Sequence, residues 1–366
     1  MPVSIGVQWP SAADARNCAK GGVRLVVCSQ CGFIWNQSFD PGRIEYSQRY
    51  DNSLDFSPVF QNYARDLARR LIETYKIRGK EVAELGCGKG HFLNLLCEAG
   101  NNSGVGFDPS YEGARVQSAV ASRITYYQDF YGEKYTSHRA DLICCRHVFE
   151  HISDPVGFLA TVRRTIGDRT AAVVYFEVPN VRFILEKFSV WDIIYEHCNY
   201  FGRESLGYVF RSCGFEVLRL EEAYGGQFLS IDARLRSSSD ERFDSASDLV
   251  AATRIFAERV RARFELWRER LERMADEKQR VVVWGGGAKA VSFLNMLGIK
   301  DTIPYIVDIN PHKQGRHISG TGQKIVSPDF LKAFNPEKIV LMNPIYRSEV
   351  EGKLRDLGVV AELVDV

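Results

Sequence analysis

The sequence predicts an α/β protein, with a mostly parallel, helix-covered sheet followed by a second, smaller α/β unit. Three observations lead there. Strand-like apolar runs alternate with helical ones from Glu81 onward, two glycine turns ("ELGCGKGHF" and "VVVWGGGAKA") each join a strand to a helix, and a charge-rich amphipathic stretch separates the two series.

Taken in order, residues 1–40 hold a short "CSQCG" knuckle and little periodicity. "SPVFQNYARDLARRLIETYKIRG" has apolar positions at helical spacing and ends in Gly79, so a helix leads into the main domain, residues 41–237. There "EVAELG", "SGVGFD", "ADLICCR" and "AAVVYFEV" read as strands, and "HFLNLLCEAG" and "PVGFLATVRRTI" as helices. Residues 238–276 place Leu249, Ile255, Phe256, Val260, Phe264, Trp267, Leu271 and Met274 mostly three or four apart, which predicts one long linking helix or two with a break. Residues 277–366 restart with a strand, a glycine turn and a helix, and "IPYIVDIN" and "KIVLMNP" add strands.

A chain of 366 residues is expected to form two or three packed units. Its 47 basic residues balance 46 acidic ones, so no broad basic field draws nucleic acid. The start lacks the basic and apolar regions of a signal peptide, and no apolar run is long enough to span a bilayer. The expectation is a cytoplasmic chain without a membrane partner, its nine scattered cysteines reduced.

Gly86, Gly88 and Gly90 stand between a strand and a helix, where glycine lets the backbone turn sharply and approach a ligand. The next strand ends in Asp108, the acid expected to hold ribose hydroxyls. Glu84 precedes the glycines, and "YYQDFY" and "DLICCRHVFEHISDP" follow. This order resembles the class I S-adenosylmethionine-dependent methyltransferases, whose Rossmann-like fold it implies. By that resemblance Gly86 and Gly88 line the methionine portion of a cofactor site that also takes in Glu84 and Gly90, Asp108 holds the ribose, Gln128, Asp129 and Phe130 lie near adenine, and Arg146 and His147 sit beside the sulfonium. Glu150 and His151 in "FEHI" are read as structural.

Later segments narrow the resemblance. "WDIIYEHCNYF", "EEAYGGQFLSIDAR", "VVVWGGGAKAVSFLNMLGI" and "VLMNPIYRSEV" resemble the sugar C-methyltransferases, which act on keto-sugars carried by nucleoside diphosphates. That family has an N-terminal zinc ribbon of two Cys pairs. Here only Cys28 and Cys31 form a pair, with Cys18 a third candidate, so a vestigial or truncated ribbon is expected rather than bound zinc. The family's Tyr-x-Glu-His is altered too, because Ile194 stands where the tyrosine should be and Tyr195 abuts Glu196-His197.

For carbon methylation, a proton beside a carbonyl must be removed and the enolate oxygen needs a donor. His197 is the candidate base, Glu196 its orienting acid, and Tyr195 or Tyr200 the candidate donor; His147 and Tyr224 are weaker base candidates. Since side chains of adjacent residues in a strand point to opposite faces, Glu196 and His197 can cooperate only on a loop or helix end. Tyr200, Tyr224, Gly225, Gly226, Lys289, Asn343, Tyr346 and Arg347 are candidate substrate contacts, with Lys289 a candidate for the diphosphate. Transfer to oxygen or nitrogen of another polar metabolite, or cofactor binding without turnover, stay open.

Overall fold

The computed structural model describes residues 1–44, 46–51, 53–113, 115, 118–236 and 245–366. Helix α1 (Ala12–Arg16) is followed by a hairpin of β1 (Leu25–Val27) and β2 (Ile34–Asn36). Ser57 caps α2 (Pro58–Tyr75) by accepting from the amide of Phe60, with Pro58 in the first turn where its missing N–H costs nothing. Phe60, Ala64, Leu67, Ala68, Leu71 and Ile72 form its buried stripe. The helix stops at Tyr75 because Lys76 turns left-handed (φ 57°), earlier than the glycine at 79 suggested.

The main sheet uses β3 (Glu81–Leu85), β4 (Ser103–Phe107), β5 (Ile124–Tyr127), β6 (Leu142–Arg146) and β7 (Val173–Pro179), joined by α3 (His91–Gly100) after β3 and α4 (Pro155–Ile166) after β6. Helix α5 (Val181–Glu186), the two-residue strand β8 (Asn199–Tyr200) and α6 (Arg203–Ser212) lead to β9 (Phe215–Ala223) and β10 (Phe228–Leu235). The order is β5-β4-β3-β6-β7-β10-β9, parallel except for β10, which runs antiparallel to both neighbours. The antiparallel hairpin was not legible in the alternation, since "YGGQF" marks only its turn. The chain moves outward one way from β3 to β5 and the other way from β6 to β7, which opens a crevice at the carboxyl ends of β3 and β6. One core packs Leu85, Phe149, Phe176 and Phe210 on one face of the sheet, and another packs Leu71, Leu96, Leu142 and Tyr175 on the other.

The predicted linker is a single unbroken helix, α7 (Ser247–Asp276), whose Leu249, Phe256, Trp267, Leu271 and Met274 are buried. Residues 238–244 of the expected span lie outside the described residues. The second unit follows with β11 (Val281–Trp284), α8 (Ala288–Leu297), β12 (Tyr305–Val307), β13 (Lys324–Val326), α9 (Leu331–Phe334), β14 (Lys338–Leu341), α10 (Arg347–Leu357) and β15 (Glu362–Asp365). Its sheet, β13-β12-β11-β14-β15, is parallel throughout. Trp191 meets Phe293 edge-on at 4.9 Å and Trp267 does the same at 5.0 Å, so one core unites the second unit, α7 and the segment after α5. Strand β8 pairs with β2, which fastens the N-terminal hairpin to the segment around Glu196. Among the described residues no helix is long and apolar enough to cross a membrane.

Asp232 on β10 is fully buried and accepts from both terminal nitrogens of Arg70 and from the Tyr75 hydroxyl, joining α2 to the sheet. Asp232→Ala leaves that guanidinium unpaired, and a loss of about 3–5 kcal/mol is expected. Urea unfolding of the two proteins measures it.

Candidate active site

A cavity of about 570 Å³ lies where the carboxyl ends of the parallel strands of both sheets converge, and both units line it. On its first wall the backbone turns at Gly86 with φ 75°, and a Cβ there would stand 2.1 Å from Val148 Cγ2. Gly88, with φ 54°, has nothing within 4 Å of where its Cβ would be, so that side of the turn is open. Its amide donates to Asp108 Oδ2 at 2.8 Å, while Ser110 donates its amide and hydroxyl to Oδ1 at 2.7 Å each. Glu84 is buried, lines the cavity and leaves Oε2 without a partner; burial pushes its carboxyl up to about 8 despite nearby Arg146. An orphaned buried acid beside an open glycine turn fits the ammonium end of an amino-acid-like cofactor. Asp129 and Phe130 line the cavity. Two predicted cofactor contacts stand elsewhere. Gln128 is exposed and donates to the Pro109 carbonyl at 3.4 Å, and Gly90 is the N-cap of α3, where a Cβ would meet the Tyr126 hydroxyl at 2.6 Å.

Arg146 and His147 both line the cavity and are held from behind by Glu177, which has no exposed surface. Arg146 donates Nε and Nη2 to Glu177 Oε1 at 3.1 and 3.0 Å, and the hydroxyls of Tyr63 and Tyr175 donate to Oε2. Burial opposes the charge on Glu177, but Arg146 and His147 outweigh it and hold the carboxyl far below its ordinary range. His147 is left-handed (φ 55°), a conformation that costs a non-glycine residue of order 1 kcal/mol and concentrates at functional sites.

The Tyr195-Glu196 pair forms a turn, as cooperation with His197 required, yet the two polar side chains part company. The Glu196 carboxylate points away from the cavity, accepting from the amide of Ile5 at 2.8 Å and from the Tyr50 hydroxyl at 3.0 Å. Tyr195 is fully buried, its hydroxyl accepting from the amide of Asp40 at 3.0 Å and its ring filling the space beside Gly21. Tyr200 is spent on the backbone of Ile194. Of the predicted catalytic set, His197 alone lines the cavity.

The carboxylate nearest His197 is Glu150, read from the sequence as structural. Its Oε1 lies 4.0 Å from His147 Nδ1, His151 Nε2 and His197 Nε2, and its Oε2 has no partner. Burial pushes this carboxyl up to about 8, lowers His151 to about 4 and lowers His197 well below the ordinary imidazole range. His151 Nδ1 stands 3.0 Å from both the Glu196 carbonyl and the Tyr46 hydroxyl. Neither Tyr46 nor Tyr50, which also line the cavity, was singled out in the sequence, because the segment around them has no period to mark it.

The opposite wall belongs to the second unit. Asp308 repeats the arrangement of Asp108: Gly286 donates its amide to Oδ2 at 2.9 Å and Asn310 to Oδ1 at 2.8 Å. Gly287 starts α8 without a side-chain cap, and the buried Lys313 ammonium lies 3.6 Å from Asp308. Lys289 lines the cavity but is paired with Asp192. Tyr224 donates to Tyr346 at 2.8 Å, and Asn343 exchanges hydrogen bonds with Gln227. Arg347 is instead tied to Asp365 and Glu351, and Gly225 and Gly226, at positive φ, shape the hairpin turn without lining the cavity. Cys28 and Cys31 keep a knuckle geometry, with amides of residues 30 and 31 lowering the Cys28 thiol, but no third metal-ligating side chain joins them among the described residues. Cys18 lies instead beside the backbone of Gly320.

Two family models match the chain, a methyltransferase domain over residues 59–220 and a C-methyltransferase C-terminal domain over residues 231–359. A tRNA U34 carboxymethyltransferase of Campylobacter lari is 25% identical over 137 residues, which are 30% of this chain and 45% of that protein. Its counterpart in Aliarcobacter butzleri is 25% identical over 155 residues, 34% and 49% respectively. The chain thus spans about half the length of the curated relatives it matches. Among solved structures, a Burkholderia thailandensis 1,6-didemethyltoxoflavin-N1-methyltransferase with bound S-adenosylhomocysteine is 14% identical, with a TM-score of 0.36 over 49% of this chain and 82% of that one. A Synechocystis magnesium protoporphyrin IX methyltransferase, also with S-adenosylhomocysteine, is 14% identical, with a TM-score of 0.39 over 49% and 84%.

Because Glu196 braces the backbone, Glu196→Ala orphans the buried Ile5 amide and is expected to cost about 1–3 kcal/mol. Glu196→Gln, which still accepts from that amide, is expected to retain most of the stability. Chemical denaturation of both variants checks the pair.

Proposed function

We propose that this chain is an S-adenosylmethionine-dependent methyltransferase that works in the cytoplasm and places the methyl group on a carbon of a nucleoside-diphosphate-linked keto-sugar, with His197 as the base. The observation that carries this reading is the shared cavity, in which the glycine turn of the first unit, His197 and the uncapped start of α8 all face one space. A ligand with a diphosphate at one end and an acidic C–H at the other spans those features.

Glu84 suits the cofactor's ammonium, Asp108 its ribose, and Phe130 the adenine. At the far wall, the amides at the start of α8 together with Lys313 suit the diphosphate, since helix N-termini and lysine both favour phosphate. Lys289, already neutralised by Asp192, is the weaker candidate. The cofactor supplies an electrophilic methyl on a sulfonium; the chain must hold the acceptor carbon in line with it and take one proton. His197 is neutral at physiological pH, the form that accepts a proton. Tyr46, whose hydroxyl stands beside His151, takes the part of donor to the enolate oxygen in place of the buried Tyr195 and Tyr200.

Isothermal titration with S-adenosylmethionine and then with a panel of nucleoside diphosphates tests the reading. Micromolar cofactor binding that Asp108→Ala abolishes, plus selective binding of one diphosphate, is the expected result. No cofactor binding would overturn the assignment. Cofactor binding without any diphosphate affinity would redirect it to oxygen or nitrogen methylation of another polar metabolite.

His197→Asn is expected to lower kcat on the nucleotide-sugar substrate by about 10²–10⁴-fold, with cofactor affinity unchanged. Single-turnover kinetics and titration measure the two quantities.

A further inference from the structure

Among the described residues no side chain brings a donor within hydrogen-bond distance of the buried Glu150 carboxyl: three imidazole nitrogens stand 4.0 Å from its Oε1, and its Oε2 has no partner. The Glu196 carbonyl can only accept, so His151 carries its proton on Nδ1 and turns the Nε2 lone pair toward Glu150. His147 Nδ1 stands 4.0 Å from the same Glu150 oxygen, and its Nε2, 3.0 Å from Glu177 Oε1, makes no aligned hydrogen bond. His197 Nε2 is the third nitrogen at 4.0 Å, and its buried Nδ1 has no partner. A buried carboxylate that faces the His151 lone pair and has no hydrogen bond from a side chain to offset its desolvation is poorly stabilised as an anion, so in the free protein Glu150 is the neutral acid.

The same turn sits against the cofactor loop. Val148, two residues before Glu150, is the side chain that a Cβ on Gly86 would strike, and Glu150, Glu84 and the glycine turn line one cavity. A cationic ligand in that cavity favours a negative charge nearby, and ionised Glu150 in turn favours the imidazolium form of His197, as a buried carboxylate does for a catalytic histidine.

We propose that Glu150 is the positioning residue that makes His197 a base: it is neutral in the free protein and gives up its proton when the positively charged cofactor occupies the site. This rests on the methyltransferase reading and adds to it a switch. His197 gains proton affinity only when a methyl donor is present. During turnover the acceptor's C–H bond breaks and its proton goes to His197; the new C–C bond forms as the S–CH₃ bond breaks, the electron pair staying on sulfur. His197 then passes the proton to Glu150. The groups facing Glu150 are His147 and His151 on its own turn, Cys145 on β6, Glu177 on β7, His197 and Cys198 before β8, and Tyr46 and Tyr50 from the N-terminal side.

Proton release on ligand binding tests this without turnover, by isothermal titration at pH 7 in buffers of different ionisation enthalpy. S-Adenosylmethionine is expected to release close to one proton per site more than S-adenosylhomocysteine, which has the same ammonium and carboxylate but no sulfonium charge. Glu84 answers to the shared ammonium, so Glu84→Gln should lower both releases equally and leave the difference intact. Glu150→Gln should abolish the difference, and Glu150→Asp, which keeps the charge, should retain it. Equal release by the two ligands in the wild type overturns the proposal even if a variant fails to fold, as does a difference that survives Glu150→Gln. Absence of binding by either ligand instead overturns the methyltransferase reading beneath it.

Discussion

The buried carboxylate of Glu177 is the point on which one wall of the cavity hangs. It sits at the carboxyl end of β7 and collects Arg146 and His147 from β6 and the following turn, Tyr63 from α2 and Tyr175 from its own strand. A lone ionised carboxylate with no exposed surface costs several kcal/mol to desolvate, and the donors around it are what make ionisation tolerable. The chain returns that stabilisation as geometry. Arg146 is laid over the Phe92 ring at 4.3 Å, His147 is kept in its left-handed conformation, and the turn carrying Glu150 starts from a fixed position.

The N-terminal segment performs a similar task for the other side of the cavity without a metal-ligand set of four. Ile5 and Tyr50 hold Glu196, Asp40 holds Tyr195, Asn36 takes the carbonyl of Cys198, and β2 pairs with β8. The turn bearing His197 is therefore fixed through backbone and buried polar contacts from a region more than 140 residues earlier in the sequence, as the Tyr50–Glu196 bond shows. Apolar burial of Trp191 against Phe293 then couples this region to the second unit.

Alternation made the parallel strands of both sheets and the connecting helix legible, because a doubly buried strand reads as an apolar run and a half-buried helix as a stripe. The glycine turn and Asp108 were legible for a similar reason, since a sharp turn between strand and helix restricts residue type. What stayed hidden was direction. Glu196 and His197 are adjacent in sequence, yet a tight turn sends one carboxylate to the N-terminal backbone and one imidazole to the cavity, and no spacing rule announces that. Glu150 was undervalued because its partners come from three separate places. Tyr46 and Tyr50 lie in an aperiodic segment whose position is set by tertiary contacts alone, and the exposed Gln128 shows the reverse case, a motif position whose side chain faces outward.

The repeated glycine-to-acid arrangement at Asp108 and Asp308 has its two copies joined. Asn310 donates its side chain to Asp51, Arg115 pairs with Asp51 and with Glu112, and Lys89 reaches Glu112 and the carbonyl of Ser110. Together with the Tyr224–Tyr346 contact, this seam makes the first unit a poor candidate for transplantation. A chain cut before α7 would leave Asp51 and Tyr224 facing water where Asn310 and Tyr346 had been. A chimaera that exchanged second units would need to bring residue 51 and the hairpin turn with the graft. Modular as it looks along the sequence, the protein is one workpiece in space.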